Sequence, residues 1–365
     1  MFKIVYLVST LEARAPVRQL FYIIKYLDRK KFKPFIVTLS PEKDKSYKHL
    51  FLEIGVEIRS LNLSRFRGFF LNGFLLDRIF NEIKPDIVHS SGFRADTLLK
   101  KFKNHKRIST LRANPYKDYL FSYGRFLGDI LASKELDAIL SFDKVVCVSK
   151  SLADIIYEKR GVRVDYIYNG LDLEIFDSFS KSKKELRKSL NLPQNKKIFI
   201  VIGNLIEGKD PQTILSAFEK LNRKDLFLLF LGEGDLLRKC KDMGKDFAEF
   251  RGFVSNVIEY LYASDYLISA SLSEGMPNSV LEAMASGLGV VLSDIPPHRE
   301  IVKDKEFAEL FQVKNPLSLK EKVLKILEKE REQISKAARE RVKEDFEAKN
   351  NSLKYQKLYE DLMKG

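Results

Sequence analysis

SEGMPNSVLEAMASGLGVV (Ser273–Val291) is predicted to form a loop, a helix and a strand in succession. It follows the apolar run YLISAS, which is typical of a buried strand. The helix is predicted to open at Pro277 or Asn278, because proline and asparagine suit a first turn, and to end at Gly287. GVVLSD then resumes a strand. This pattern predicts one strand–loop–helix–strand unit of a parallel sheet.

Two glutamates of this stretch are predicted to lie near the start of the helix. Glu274 falls in the loop at the carboxyl end of the strand, and Glu282 falls one to two turns into the helix, on the same face as Asn278 and Ser279. The free N–H groups and partial positive charge of a helix N-terminus suit a diphosphate. A carboxylate on that face can accept hydrogen bonds from ribose hydroxyls. As residue types alone, these features fit a capped surface helix with two unrelated glutamates equally well.

The rest of the chain alternates strands with helices. KIVYLV, PFIVTL, PDIVHS, KVVCVS and VDYIYN are short apolar runs, and after the polar segment SFSKSKKE the rhythm restarts with KIFIVIG, LFLLFLG and FAEFRGFV. A chain of 365 residues exceeds what one core usually serves. We predict an α/β protein with two Rossmann-like, doubly wound parallel-sheet domains. Residues 1–169 with a returning C-terminal helix at 347–365 form the first domain, and residues 170–346 form the second. From about Leu319 the sequence predicts one or two charged helices.

The net charge of +14 is concentrated in the first half of the chain. Met1–Gly170 contains 31 Lys and Arg against 18 Asp and Glu, whereas the remainder is nearly neutral. A basic domain attracts anionic membranes, lipid pyrophosphates or nucleic acid. Lysines on solvated faces would explain the excess of positive charge as well. Within the segment 64–80, Phe66–Phe70 with their neighbouring arginines are predicted to be available to lipid. Phe74, Leu75, Ile79 and Ile83 are predicted to face the core.

Several classes of protein are disfavoured by the sequence. No run approaches the roughly 20 apolar residues of a membrane span, and the N-terminus lacks the features of a signal peptide, so a cytoplasmic protein is predicted, with peripheral binding to the inner face of the cell membrane left open. Cys147 and Cys240 have no metal-ligand spacing. FLGEGD carries only two glycines of a dinucleotide fingerprint, and there is no P-loop. No cofactor and no metal are predicted.

The signature stretch resembles that of the retaining glycosyltransferases of family 4 in the carbohydrate-active enzyme classification, which have the GT-B fold. Seven residues separate the two glutamates within an E-G-x-P-N…E-A-M-A-x-G frame, as in that family. YNGLDLEIF, VIGNLIEGKDPQTILSAF, FRGFVSNVIEYLYASD and SDIPPHREIV resemble further family segments, so the likeness covers nearly the whole chain. The resemblance implies two domains that face each other across a cleft, with a nucleotide-sugar donor bound there.

The resemblance also implies roles for individual residues. Glu282 would bind the nucleotide ribose, Glu274 would face the transferred sugar, and Lys209 would neutralise the departing diphosphate, on which negative charge grows. The absence of any Asp-x-Asp motif is consistent with a metal-independent enzyme. The other residues implied in donor binding lie in the loop after the first strand of the second domain, in the base-binding loop and around the helix start: Gly203, Asn204, Phe253, Val254, Gly275, Met276, Pro277, Asn278 and Ser279.

The sequence departs from the family pattern at three places. Asn204 stands where the family commonly has arginine, which removes a charge beside the phosphates. The loop LEARAPVRQL replaces a glycine-rich loop, and its Arg14 and Arg18 fit either an acceptor phosphate or a plain surface turn. Arg112 stands where many relatives have histidine; it can stabilise anionic charge but cannot act as a general base. The acceptor-side candidates are Arg14, Arg18, His89 and Asn114, with a structural role for His89 as the alternative.

These observations predict a retaining hexosyltransferase that moves a hexose or N-acetylhexosamine from a nucleotide-sugar, with UDP-sugars favoured. The acceptor is predicted to be a glycan or a lipid-linked molecule in bacterial surface polysaccharide or glycolipid synthesis. An anionic membrane surface is the further predicted partner, through the basic half. The alternatives are a nucleotide-sugar epimerase or a phosphorylase of the same fold, and a basic nucleic-acid-binding protein, whose affinity would depend strongly on salt.

Overall fold

The structure is a computed structural model that describes residues 1–303 and 306–364, with the side chains of residues 65–70 outside the description. The described chain divides into two compact units. Met1–Gly170 and the C-terminal helix form the first unit, and Leu171–Glu347 form the second. Each unit is built on its own sheet, and every strand pairing within these two sheets is parallel.

The first unit contains a seven-stranded sheet with the order β3-β2-β1-β4-β5-β6-β7. Its strands are β1 (Phe2–Val8), β2 (Phe32–Thr38), β3 (Glu57–Ser60), β4 (Ile87–Ser90), β5 (Lys106–Leu111), β6 (Lys144–Cys147) and β7 (Asp165–Tyr166). Its helices are α1 (Ala15–Lys25), α2 (Lys48–Glu53), α3 (Arg65–Ile83), α4 (Phe93–Leu99), α5 (Pro115–Ile139), α6 (Lys150–Arg160) and, at the end of the chain, α16 (Ala348–Lys364). Strand β1 pairs with both β2 and β4, so the chain direction across the sheet reverses beside β1.

The second unit contains a six-stranded sheet with the order β10-β9-β8-β11-β12-β13. Its strands are β8 (Lys197–Ile202), β9 (Leu226–Leu231), β10 (Ala248–Phe250), β11 (Tyr266–Ser269), β12 (Gly289–Ser293) and β13 (Ala308–Phe311). Its helices are α7 (Glu174–Asp177), α8 (Lys183–Ser189), α9 (Pro211–Leu221), α10 (Leu237–Gly244), α11 (Val257–Ala263), α12 (Asn278–Ala285), α13 (Pro296–Ile301), α14 (Pro316–Leu327) and α15 (Arg331–Asp345). A single 3-10 turn, Glu207–Lys209, follows β8.

The C-terminal helix α16 completes the core of the first unit. It packs against α1, and its Tyr355 and Tyr359 are buried among the side chains of the first sheet. The Tyr359 hydroxyl lies 3.3 Å from that of Tyr6 on β1 and 2.8 Å from Nδ1 of His89 on β4. Burying polar groups is tolerated here because each finds a partner.

The predicted fold class is confirmed, since two parallel sheets are flanked by helices. The signature segment forms the loop after β11, α12 and the beginning of β12, and Gly287 follows α12 with a φ of 76°, a conformation that favours glycine. Three strands were not anticipated from the sequence: β3, β5 and β13. The charged C-terminal region contains α14, α15 and α16, so the prediction of one or two helices was too low.

The predicted core face of α3 is wrong at Phe74 and right at Ile83, while Leu75 and Ile79 are half-buried. Leu76, Phe80 and Ile83 are buried, whereas Phe74 is 72% exposed. This helix has apolar residues on several sides, so the sequence does not favour one apolar face. Tertiary contacts therefore determine which side of the helix is buried. The predicted lipid-facing segment Phe66–Phe70 lies outside the described side chains. Within the residues that the structure describes, no helix combines the length and apolar character needed to cross a bilayer.

Two carboxylates are buried in the packed helices α4 and α5 of the first unit. Asp96 accepts hydrogen bonds from the hydroxyls of Ser90 (2.5 Å) and Ser109 (2.9 Å), and Glu135 accepts one from Tyr119 (2.8 Å). Burial raises the pKa of Asp96 to about 7. Burial, together with the charge of Asp96, raises the pKa of Glu135 to about 8. These two side chains are therefore expected to bind protons that the unfolded chain would release.

Candidate active site

An ion pair between Lys209 and Glu274 connects two loops of the second unit. Lys209 ends the 3-10 turn that follows β8, and Glu274 lies in the loop that follows β11. The Nζ atom of Lys209 donates to Oε1 of Glu274, and the backbone N–H of Leu272 donates to the carbonyl of Gly208 over 2.9 Å. Because β8 and β11 are adjacent parallel strands, both loops emerge at the same edge of the sheet. The fold thus brings together a cation and a carboxylate that are 65 residues apart in the chain.

The electrostatics of this pair favour the ionised form of Glu274. The Glu274 side chain is 14% exposed and that of Lys209 is 36% exposed. Burial acts to raise the pKa of Glu274, but the Lys209 ammonium and the Ser271 hydroxyl, which donates to Oε1 over 2.7 Å, hold that pKa below its ordinary value. An ionised carboxylate with a neighbouring ammonium can bind hydroxyl and phosphate groups, respectively.

Helix α12 begins four residues after Glu274. Its N-cap is Pro277, whose side chain cannot cap the first N–H groups, and Asn278 and Glu282 are 9% and 5% exposed. Gly275 and Met276 are buried, and Ser279 is half-buried. The first turn of a helix carries N–H groups and a partial positive charge that suit an anion, and Glu282 lies one turn further along the same helix.

The loop after β8 approaches the loop after β9 very closely. Gly232 has a φ of 144°, and a Cβ atom there would lie 2.0 Å from the carbonyl oxygen of Gly203. Gly203 itself has a φ of 147°, and the adjacent Asn204 is exposed. Only glycine at position 232 allows this contact, which places the backbone of Gly203 and Asn204 at the strand ends.

The remaining predicted donor-binding residues lie in the loop after β10. Phe253 is 52% exposed and its backbone N–H donates to Oε1 of Glu233 over 3.5 Å, while Val254 is half-buried. An exposed phenylalanine offers a flat apolar face on which a base could stack.

The acceptor-side candidates lie in the first unit and are not all in one place. A cavity of about 150 Å³ lies where β1 and β4 end, and His89 and Arg112 contribute to its lining. The described residues that line this cavity do not include Arg14, Arg18 or Asn114. Arg14 is exposed and pairs with Glu12 over 3.0 Å, Arg18 is half-buried in α1, and Asn114 caps α5 by accepting from the N–H of Tyr116 over 3.1 Å.

His89 and Arg112 both have protein partners. The two ring nitrogens of His89 lie 2.8 Å from the Tyr359 hydroxyl and 2.7 Å from that of Thr110, and burial lowers the pKa of His89 to about 3. Arg112 donates from Nε to Ser91 over 3.2 Å and from Nη1 to Asn169 over 3.4 Å. Arg112 is therefore a cation in the lining of the cavity, and its hydrogen-bond partners Ser91 and Asn169 are neutral. His89 contributes an uncharged imidazole to the same lining.

Sequence reasoning missed the side chains that support Glu274. Ser271 binds Glu274 directly, and Ser293 donates from Oγ to the carbonyl of Ser271 over 2.6 Å. His298 lies in PPHREIV, where the sequence favours a role in fixing the loop by hydrogen bonding over a catalytic one, and its Nδ1 does lie 2.8 Å from the carbonyl of Ser293. Serines at the ends of two adjacent strands were the available signal. In residues 1–303 and 306–364, no cluster of three or more His, Cys, Asp or Glu forms a candidate metal site.

Comparison with known families gives two matches along the chain. Residues 17–175 match the profile described as Glycosyltransferase Family 4, and residues 182–341 match that of Glycosyl transferases group 1. The O-antigen biosynthesis glycosyltransferase WclY of Escherichia coli is 25% identical over 289 residues, which covers 76% of this chain and 80% of WclY. The N-acetyl-alpha-D-glucosaminyl L-malate synthase of Bacillus anthracis is 27% identical over 61% of this chain and 60% of that enzyme.

Solved structures share the same architecture. Anabaena HepE, crystallised in complex with UDP-glucose, superposes with a TM-score of 0.84 at 14% identity, over 99% of this chain and 100% of HepE. At that identity the likeness concerns the fold. Together, the two family matches, which span most of the chain, and the two parallel sheets show that this protein belongs to the family 4 glycosyltransferases and has the GT-B fold.

Proposed function

We propose that this glycosyltransferase transfers a hexose or N-acetylhexosamine from a nucleotide-sugar, with UDP-sugars favoured, and retains the anomeric configuration without a metal ion. The observation that carries the proposal is the Lys209–Glu274 pair beside the start of α12. In this proposal Lys209 and the N–H groups of α12 bind the diphosphate, Glu274 faces the sugar and Glu282 accepts hydrogen bonds from the ribose. The second unit would then bind the donor and the first unit the acceptor.

The chemistry follows from where charge develops. As the bond between the sugar and the diphosphate breaks, negative charge grows on the leaving phosphate, and a preorganised ammonium stabilises that charge. Asn204 can donate a hydrogen bond to phosphate but brings no charge, so Lys209 is the cation on which the proposal depends. The proton of the acceptor hydroxyl would pass to the leaving phosphate, for which Arg112 is not required as a base. The complex of HepE with UDP-glucose supports a UDP-sugar as donor.

The acceptor proposed here is a glycan or a lipid-linked molecule in surface polysaccharide or glycolipid synthesis. The similarity to WclY, which acts in O-antigen biosynthesis, supports this class of acceptor. The excess of cations in the first half of the chain supports it as well, because such a surface attracts phosphate-rich lipids. The protein would then work in the cytoplasm, at the inner face of the membrane.

A donor screen tests the transferase proposal. We expect one class among UDP-, GDP- and ADP-sugars to raise the melting temperature, since binding to the folded state alone stabilises it. The same donor should release its nucleoside diphosphate when polyprenyl-diphosphate-linked or diacylglycerol-linked glycans are added, and NMR should show the product with the anomeric configuration of the donor. Glu282→Gln should abolish most of the thermal shift, because an amide is a weaker acceptor for ribose hydroxyls.

The matched control is Glu219→Gln, which alters an exposed carboxylate near the C-terminal end of α9. An epimerase would convert the donor without releasing diphosphate, and a phosphorylase would require inorganic phosphate. Either result, or a thermal shift that Glu282→Gln leaves intact, would contradict the proposal.

A stripe of exposed apolar side chains on α5 is the proposed contact with the membrane. Tyr123, Phe126, Leu127 and Ile130 are between 47% and 82% exposed and recur at helical spacing around Gly124, where the helix is kinked. Lys100 and Lys134 line a surface groove together with Phe126 and Ile130, and the carboxylates Asp129 and Asp137 line the same groove. Apolar side chains that insert beside lysines that pair with lipid phosphates are typical of interfacial binding.

We expect the protein to co-sediment with vesicles that contain phosphatidylglycerol and to bind pure phosphatidylcholine vesicles at least tenfold more weakly. Phe126→Ser/Leu127→Ser/Ile130→Ser should reduce binding to the anionic vesicles at least tenfold, because the inserted apolar area is lost. High salt should weaken binding of the wild-type protein to the anionic vesicles to a similar extent, since salt screens the charges of the lysines. Leu317→Ser, which removes an exposed leucine from α14 of the second unit, serves as control. Unchanged binding by the triple variant, or a change in oligomeric state instead, would refute the membrane contact.

A further inference from the structure

Arg112, which directly follows β5, is a cation without a counter-ion in the part of the chain that the structure describes. Its guanidinium has five N–H groups, of which Nε donates to Ser91 over 3.2 Å and Nη1 donates to Asn169 over 3.4 Å. Neither partner carries a charge. Burial lowers the pKa of Arg112, because the side chain has lost water without gaining a carboxylate. Arginine nevertheless stays protonated in proteins, and buried charges are normally paired, so an anion is missing here.

The unused N–H groups of Arg112 can be reached by a ligand. Nη2 has no protein partner within the described residues, and it is not one of their sealed unpaired atoms, so it is open to solvent. Arg112 lines the cavity of about 150 Å³ where β1 and β4 end. Ser9 and Thr10, which follow β1, line the same cavity, and their hydroxyls donate to no protein group among the described residues. One cation and two hydroxyl donors are therefore available to an occupant.

The other walls of the cavity also suit an anion. Pro16 and Val17 in the first turn of α1 line it, and that turn contains no acidic residue and no side-chain cap. The N-terminus of a helix carries a partial positive charge. Asp96 is a carboxylate that reaches a lining residue, since it accepts from the Ser90 hydroxyl over 2.5 Å. Burial raises the pKa of Asp96 to about 7, so this carboxyl is partly protonated at neutral pH and repels an anion less than an ionised one would.

We propose that this cavity binds an anionic group of the acceptor, with Arg112 as counter-ion and with Ser9 and Thr10 as hydrogen-bond donors. The inference rests on the proposed function and adds the class of acceptor. A cavity of about 150 Å³ is smaller than the roughly 300–1,000 Å³ of sites that enclose a whole ligand, so it takes one charged group and the carbons beside it. Val17 and Leu20 contribute an apolar wall for those carbons. Arginine binds phosphate and carboxylate with equal geometric ease, so the anion is either the phosphate of a lipid-linked sugar or the carboxylate of a sugar acid.

Three probes that share one hexose separate these sources without any donor present. Glucose 1-phosphate carries a phosphate, glucuronic acid carries a carboxylate, and methyl glucoside is neutral. We expect calorimetry to show at least tenfold tighter binding of one anionic probe than of methyl glucoside. A preference for glucose 1-phosphate identifies a phosphate-bearing acceptor, and a preference for glucuronic acid identifies a sugar acid. If neither anionic probe binds tenfold better than the neutral one, the proposal is wrong.

Variants locate the preferred probe in the cavity. Arg112→Gln should weaken its binding at least tenfold, and Arg112→Lys should lose less, because the charge is kept. Thr10→Val removes one donor at nearly equal size and should weaken binding about threefold, which provides a second test if Arg112→Gln folds poorly. Arg78→Gln, which removes an exposed arginine from α3 of the same unit, is the control and should stay within twofold of the wild type.

The donor site is the competing location for an anionic probe. Lys209→Met should therefore bind the preferred probe within twofold of the wild type. Binding that Lys209→Met abolishes and Arg112→Gln retains would overturn the proposal, because the probe would then occupy the donor site. A wild-type protein that prefers an anionic probe but binds no nucleotide-sugar would instead refute the proposed function, so the two failures are distinguishable.

Discussion

Lys209→Met is expected to lower kcat for sugar transfer by roughly 100- to 1,000-fold, which is the usual loss when one preorganised group that stabilises developing negative charge is removed. The affinity for the donor should fall much less, because the charge on the diphosphate is greatest in the transition state. Methionine is similar in length to lysine, so the change removes the ammonium and keeps most of the packing. Steady-state kinetics with the donor identified by the screen measure both quantities.

The same substitution leaves Glu274 without its cation, so its effect on folding must be separated from its effect on catalysis. Breaking a buried pair is strongly destabilising, but Lys209 is about one-third exposed, and we expect a loss of only about 1–2 kcal/mol after solvent screening. Lys209→Met/Glu274→Gln should restore the melting temperature, because the unpaired charge is gone, without restoring activity. A Lys209→Met enzyme within fivefold of wild-type kcat would contradict the role given to this lysine.

The buried carboxylates Asp96 and Glu135 are expected to make the first unit less stable as pH rises. In the unfolded chain these groups lose their protons near their ordinary pKa values of 3.8 and 4.5, whereas in the folded state the pKa values are about 7 and about 8. Between these limits the folded state binds more protons than the unfolded state. The stability from these protons is therefore fully present below about pH 4 and is lost as pH rises through 7 and 8, at about 1.4 kcal/mol per pH unit for each proton.

Asp96→Asn and Glu135→Gln measure this effect, since a neutral amide removes the titration while keeping an oxygen acceptor for the serine and tyrosine hydroxyls. At pH 8.5 we expect each variant to be more stable than the wild type by roughly 2–4 kcal/mol, and at pH 5 to be equally or less stable. Thermal melting at both pH values measures the change of sign. Asp129→Asn, which alters an exposed carboxylate on the same helix, is the control. A difference between variant and wild type that does not vary with pH would exclude the buried pair as the cause.

The strands that the sequence failed to predict show where local patterns stop being informative. Strand β5, KRISTL, contains few apolar residues, yet Arg107, Ser109 and Thr110 are buried in it. Arg107 donates to the carbonyl of Ser141, Ser109 donates to Asp96, and Thr110 lies against His89. Each partner comes from another element, so the polar residues are stabilised inside a sheet by contacts that no window of sequence contains.

His298 is a second case in which the local sequence predicts only part of the contacts of a residue. The sequence shows a histidine after two prolines, from which a loop-fixing role was inferred. That role accounts for Nδ1 alone, because the bond to Ser293 spans only five residues. Nε2 is buried without a hydrogen-bond partner among the described residues, and the path from Ser293 through Ser271 to Glu274 depends on β11 and β12 lying side by side. Both features arise only in the folded protein.

The sequence by itself determined the family, the two parallel sheets and the start of α12, because strand and helix periodicity, capping residues and a contiguous signature are all properties of neighbouring residues. The tertiary structure alone decided which face of α3 is buried, that Lys209 binds Glu274, and that two carboxylates of the first unit share a buried environment. Such features arise where distant strands and helices meet, and there burial and charge, rather than local preference, set the energy of each side chain.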